Sequence, residues 1–156
     1  MAYPLPLKFN LIDDVLIGNA YASEAELKAA AEVFFSPYPL LHVDTVSDLS
    51  AVEEKVLFAQ PQTYRGDFSD YVIRSSQTRV IYKDEDFPAH HLDAIHAGDV
   101  LIDNDEFGQY KGELQIARRD LENTGRINVV GHVVASDLPC LKLLQPWADF
   151  KFVAAE

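Results

Sequence analysis

The feature that most limits what this chain can fold into is the rhythm of its second half. After Pro61 come "DYVIRSS", "TRVIYK", "GDVLIDN", "YKGELQIAR", "RINVVGHVV" and "WADFKFV", short runs rich in Val, Ile, Tyr and Phe with polar or Gly-containing turns between them. Short β-prone segments at near-regular spacing predict an antiparallel sandwich or a small closed barrel. Within "GDVLIDNDEFGQYKGELQI", Val100 and Ile102 alternate with Leu101 and Asp103, and Leu114 and Ile116 alternate with Glu113 and Gln115. That period of two predicts a hairpin with a loop over residues 104–109, where Gly108 supplies a permissive backbone.

The first part of the chain has a different character. In "DDVLIGNAYASEAELKAAAEVFF", Val15 to Ile17 read as a short strand and Gly18 with Asn19 as a turn. Ser23 and Glu26 then have the spacing of a capping box that opens a helix running to about Phe35. Such a strand-loop-helix unit leaves its strand without a neighbour, so it must pack on the β-rich half of the chain or derive from something larger. "LLHVDTV" reads as a strand, and Ser50 with Glu53 repeats the capping pattern before a helix over about 51–59 that Pro61 ends. Residues 1–38 are thus expected to form an N-terminal segment and 39–156 a β domain.

Composition narrows the functional classes. Lys and Arg number 13 against 25 Asp and Glu, a formal charge of -12, and such a field repels nucleic acid and anionic membrane surfaces. Cys140 is the only cysteine, which excludes an intrachain disulfide and fits a reducing cytoplasm; its apolar context predicts a buried residue. "MAYPLPLKFNLIDD" has neither the basic nor the apolar region of a secretion signal, and no run reaches the length of a membrane span. A cytoplasmic location is expected.

Metal and nucleophile chemistries find little support in the spacings. A calcium loop started at Asp103 has Asp105 and Gly108 in register, but Phe107 and Leu114 occupy ligand positions, so Asp105 and Glu106 read as a solvated hairpin tip. His90 and His91 are adjacent and would diverge on a strand, and neither HxH nor HxxxH occurs. No metal or other cofactor is expected. The cations say more: Arg65, Arg74 and Arg79 lie close in sequence, Lys111 and Glu113 sit in an expected strand, and Arg65 and Asp67 flank a glycine in "YRGDFSDY". Forked guanidiniums gathered in an acidic protein form either an anion site or ion pairs between strands, and the residues leave both open.

In order along the chain, "YRGDFSDYVIRSSQTR", "GDVLIDNDEFGQYKGELQI" and "GRINVVGHV" resemble the C-terminal region of the 6-phospho-N-acetylmuramidase family, bacterial phospho-sugar glycosidases formerly called outer surface proteins. "DDVLIGNAYASEAELKA" is similar to the segment joining the barrel of that family to its C-terminal domain, and "YKGELQI" is the most specific block. The resemblance implies a cyclophilin-like β-barrel of antiparallel strands over residues 39–156, preceded by a remnant of an N-terminal TIM barrel. It also implies a phosphorylated amino sugar as ligand of the whole enzyme, a role in recycling cell-wall muropeptides, and catalytic groups outside these residues, because TIM-barrel enzymes carry them on the barrel strands.

As substrate-binding positions it implies Arg65, Asp67, Arg74, Arg79, Asp103, Tyr110, Lys111 and Glu113, while Gln109 stands where the family more often has a basic residue. Two rival classes remain, a non-catalytic interaction module and a peptidyl-prolyl isomerase; fold alone decides neither.

Overall fold

The computed structural model describes residues 13–18 and 21–155. In chain order the elements are α1 (Glu24–Phe35), β1 (Leu40–Thr45), α2 (Ala51–Phe58), β2 (Gln62–Thr63), β3 (Val72–Ser75), α3 (Gln77–Ile81), β4 (Asp99–Asp103), β5 (Leu114–Ala117), β6 (Ile127–Val133) and β7 (Asp149–Ala154). Short 3-10 segments, Asp105–Tyr110 and Leu138–Lys142, lie between β4 and β5 and between β6 and β7. The strands form one sheet in the order β2-β7-β1-β6-β4-β5-β3. Its two edges approach each other, so the sheet is nearly closed into a barrel: Arg65 N–H donates to Arg74 O at 2.8 Å, and Ser75 Oγ–H donates to Gln62 Oε1 at 2.8 Å.

The period of two sorts the side chains as the sequence predicts. Val100, Ile102, Leu114 and Ile116 face inward and join Leu41, Val43, Tyr64, Phe87, Phe150 and Phe152 in the main core. Leu101 and Ala117, one residue out of phase, pack outside the sheet with Ile95, Leu121, Ile127 and Val129. β4 is therefore buried on both faces, which explains its almost continuous apolar run. Both capping boxes form, with Glu26 N–H donating to Ser23 Oγ at 3.2 Å and Glu53 N–H to Ser50 Oγ at 3.3 Å. α1 docks through Val33 against Leu40 and Val153, on the flank of the sheet. Cys140 is buried.

Four expectations are corrected. The sheet is mixed, because β1 and β7 are parallel, with Leu41 opposite Phe152; the long connection a parallel pair needs is the rest of the domain, which no local spacing reveals. "TRVIYK" is helical rather than a strand: Thr78 Oγ–H donates to Gly112 O at 2.6 Å, so this buried side chain, not a strand ladder, ties the segment to the barrel. Val15 to Ile17 are exposed and form no strand, having no neighbouring strand to pair with. The turn expected beside them extends into Asn19, and the stretch read for a secretion signal runs from Met1 to Asp14; Asn19 and residues 1–12 lie outside the described residues. His90 and His91 lie in the irregular segment before β4, where His91 takes a left-handed φ of 46° and brings the two rings to 5.0 Å.

Where β6 crosses between β1 and β4, the register slips between Val100 and Leu101, and Gly131 sits against β1. A Cβ there would stand 2.6 Å from Asp44 O and 2.9 Å from Val43 Cγ1. Gly131→Ala is expected to lower stability by about 1 to 3 kcal/mol, read as a fall in the denaturant midpoint without a change of slope.

Candidate functional site

On the outer face of β3, β5 and β4, at the end nearest the β4–β5 connection, the apolar pattern gives way to polar groups. Arg74 stands opposite Gln115 in the β3–β5 ladder, and Asp103 N–H donates to Glu113 O at 3.1 Å. Lys111 and Glu113 precede β5 rather than lying in it, because Gly112, at a φ of 80°, completes a turn in which its N–H donates to Asp103 O at 2.7 Å. Asp105 and Glu106 are exposed, as a hairpin tip should be, but the loop is a 3-10 segment broken at Gly108 and opened by Asn104, whose side chain accepts from Glu106 N–H at 3.1 Å.

Two carboxyls are buried together here, Asp103 at 2% exposure and Glu113 at 1%. Burial, and next the charge of Glu113, push the Asp103 carboxyl up to about 8. A hydrogen bond from Gln115 Nε2 to Asp103 Oδ1 at 2.7 Å and the charges of Arg74 and Arg79 act in the opposite direction without cancelling that rise. Asp103 therefore keeps its proton at neutral pH. Arg79 lies 3.3 Å from Glu113 Oε2 and 5.3 Å over the Tyr110 ring, which meets Phe107 edge to face, and Arg126 covers Phe107.

The arginine arc continues across the closing seam. Arg65 Nε is 3.0 Å from Asp67 Oδ1 and Arg74 is 3.9 Å from Asp67 Oδ2, so Asp67 stands between two guanidiniums. Trp147 N–H donates to Tyr64 O at 2.8 Å with Trp147 at a left-handed φ of 70°, laying its indole on Gly66, where any Cβ would overlap the ring. The indole is 75% exposed beside Arg65 and Asp67.

Of the eight positions named from the sequence, Arg65, Asp67, Arg74, Asp103, Glu113, Arg79 and Tyr110 form one chain of contacts and charge interactions. Lys111 is drawn aside, donating from Nζ to Glu85 O at 2.8 Å and lying 3.6 Å from Asp105, so it clamps the segment before β4. Two further members of the cluster escape sequence reasoning. Gln115 carries only the alternation of β5 as a signal, and Trp147 is the only tryptophan, in a Pro-containing turn before β7. Among the described residues, Arg74 Nε is a buried atom with no hydrogen-bond partner, and Glu113 Oε2 is a buried atom that has its ion pair with Arg79 but no hydrogen bond. Buried polar atoms are rarely left so, and here both belong to the same cluster.

A small mixed-sheet β-barrel with an arginine-rich outer face is the class that fold and site define. Residues 39–153 match the family described as 6-phospho-N-acetylmuramidase, C-terminal, and the chain belongs to this family. A crystal structure of an uncharacterized B. cereus protein is 37% identical with a TM-score of 0.83, over 94% of this chain and 42% of that one. A second, of a conserved Enterococcus faecalis protein with an unknown function, is 23% identical with a TM-score of 0.70, over 96% of this chain and 41% of that one, and it shows the shared fold. The chain thus spans about two fifths of the length of these relatives. No curated protein matches it. Among the described residues no helix is long and apolar enough to cross a membrane.

The proton on Asp103 makes stability depend on pH. The folded state holds it to about pH 8, whereas the unfolded chain releases it near 3.8, so this group's contribution falls as pH rises between those values and is level above them. Asp103→Asn is expected to match the parent chain near pH 4 and to exceed it by a few kcal/mol near pH 9, measured by urea unfolding at each pH.

Proposed function

We propose that this domain binds the phosphorylated amino sugar of a 6-phospho-N-acetylmuramidase-type glycosidase and closes the active site of an N-terminal TIM-barrel domain over it, acting in the cytoplasm in the recycling of cell-wall muropeptides. The observation that carries the reading is the arc of Arg65, Arg74 and Arg79, three guanidiniums facing three carboxyls of which Asp103 keeps its proton. In a chain of charge -12 such a local excess of cations is a selective place for an anion, and forked guanidiniums give it direction. The exposed indole of Trp147 beside that arc offers the apolar face of a sugar ring a flat surface. Family membership supports the substrate class, and the share of the relatives that this chain spans supports a second domain.

The domain is not catalytic on its own. A carboxyl with a raised pKa beside a second carboxylate is the signature of a glycosidase acid, but Asp103 and Glu113 are sealed from solvent, where neither can reach a glycosidic bond. Their role is to hold Arg74 and Arg79 in place from beneath.

In the full-length enzyme, Arg74→Ala and Trp147→Ala are expected to lower kcat/KM about 10- to 100-fold with little change in melting temperature. A fall in melting temperature with kcat/KM unchanged would assign Arg74 to a structural ion pair instead. Lys111→Ala, which unclamps a loop, should act mainly on stability. The purified 156-residue chain should show no hydrolysis of the 6-phosphate glycoside, and turnover by it would move the catalytic pair into this domain.

A further inference from the structure

A second cluster lies apart from the arginine arc, between the turn that follows β1 and the segment that precedes β4. Asp48, His90 and His91 each offer a ligand atom, and these atoms lie within 4.8 Å of one another. Adjacent histidines on a strand would point to opposite faces, but the left-handed backbone of His91 turns its ring back to His90 at an interplanar angle of 74°. That conformation is held where it is, since Val129 N–H donates to His91 O at 3.1 Å and His90 N–H to Asn128 Oδ1 at 3.0 Å. His91 Nε2 is 2.6 Å from Asp48 Oδ1, and Asp48 is 64% exposed.

The partners of His90 give the cluster its chemistry. Glu53 Oε1 accepts from His90 Nε2 at 2.7 Å and from Asn128 Nδ2 at 3.1 Å, while its other oxygen completes the cap of α2. The contact with Glu53 engages His90 Nε2 and leaves Nδ1 as the ring nitrogen that can coordinate. That Nδ1 is buried and meets no hydrogen-bond partner. An imidazole that donates through one nitrogen to a carboxylate and keeps the other empty is arranged as a metal-ligating histidine is.

We propose that Asp48, His90 and His91 bind a divalent transition-metal ion of the zinc class through two imidazole nitrogens and one carboxylate oxygen, with Glu53 orienting His90 and a fourth position open to water or an anion. Two nitrogens and a carboxylate oxygen suit such an ion better than magnesium or calcium, which take oxygen. Donors around a tetrahedral zinc stand about 3.3 Å apart for bonds near 2.0 Å. The side chains therefore draw inward on binding, and exposed Asp48 has the freedom to do so. The ion takes the place of the proton shared by His91 Nε2 and Asp48, and the His91 ring keeps its proton on Nδ1. The site uses this chain's residues alone and does not depend on the sugar reading.

The test is a titration of the chelator-treated chain at pH 7.5 with Zn(II) by calorimetry and with Co(II) by visible absorption. One saturable equivalent is expected, with the ligand-field bands of a four- or five-coordinate ion. Asp48→Ala and His91→Ala should each weaken binding more than about tenfold, and Glu53→Gln by about 10- to 100-fold. His132→Ala, at a histidine paired with Asp99, should leave it unchanged. In the unaltered chain, one equivalent of Zn(II) should shift the imidazole nitrogen resonances of His90 and His91 and leave those of His42, His96 and His132 in place, a readout that needs no variant to fold. Absence of saturable binding, or nitrogen shifts confined to other histidines, would overturn the proposal, as would unchanged affinity in folded Asp48→Ala and His91→Ala chains.

Discussion

The closing seam of the barrel is the constraint on which the rest depends. An open seven-stranded sheet would leave two unpaired edges, and here β2 is only two residues long, too short to cover β3 as a ladder. Side chains complete what the backbone cannot: Gln62, buried, donates through Nε2 to Val56 O at 2.8 Å and accepts from Ser75 through Oε1. The single backbone bond from Arg65 to Arg74 then fixes the "RGD" loop against β3. The same seam that removes the edges therefore sets two of the three guanidiniums side by side and lays Trp147 across Gly66.

Beneath the guanidiniums, the sheet's alternation places Asp103 and Glu113 on the side opposite the core, yet the covering side chains keep water from them. Leaving two adjacent buried carboxyls both ionised is costly, and retaining the Asp103 proton removes most of that cost. It also leaves the arginines less than fully neutralised. Had both carboxyls been charged, the three guanidiniums would face three carboxylates and the arc would carry no excess of cations.

How much of this could be read from the sequence depended on how local each determinant is. Ser23 with Glu26 and Ser50 with Glu53 fix their helices within four residues, so both were legible, and the alternation in β4 and β5 disclosed the two faces of the hairpin. What stayed hidden is set by distant partners. "TRVIYK" has the composition of a strand, but Thr78 is tied to Gly112 across the barrel while Val80 and Ile81 are left exposed. β7 returns beside β1 from more than a hundred residues away, a neighbour no period predicts. The arginines were legible as a cluster because they are few in an acidic chain, whereas Trp147 and the convergence of His90 with His91 both rest on left-handed backbones that sequence spacing does not encode.

The two polar clusters share one scaffold. Asn128, fully buried on β6, donates from Nδ2 to Glu53 Oε1 at 3.1 Å and to Pro88 O at 3.0 Å, and accepts through Oδ1 from His90 N–H and from Asn104 Nδ2, both at 3.0 Å. Both donor hydrogens and both acceptor lone pairs of the amide are thus used, which is the condition under which a buried polar group rigidifies rather than destabilises. On one side the network ends at the His90 imidazole; on the other, Asn104 starts the 3-10 segment that carries Phe107 and Tyr110 to Arg79. An Asn128→Leu chain would strand Glu53, Asn104 and the His90 amide at once, a loss of several unmade hydrogen bonds at about 1 to 3 kcal/mol each. Asp48 and Trp147, both largely exposed at the rims of the two clusters, make no bond to that network.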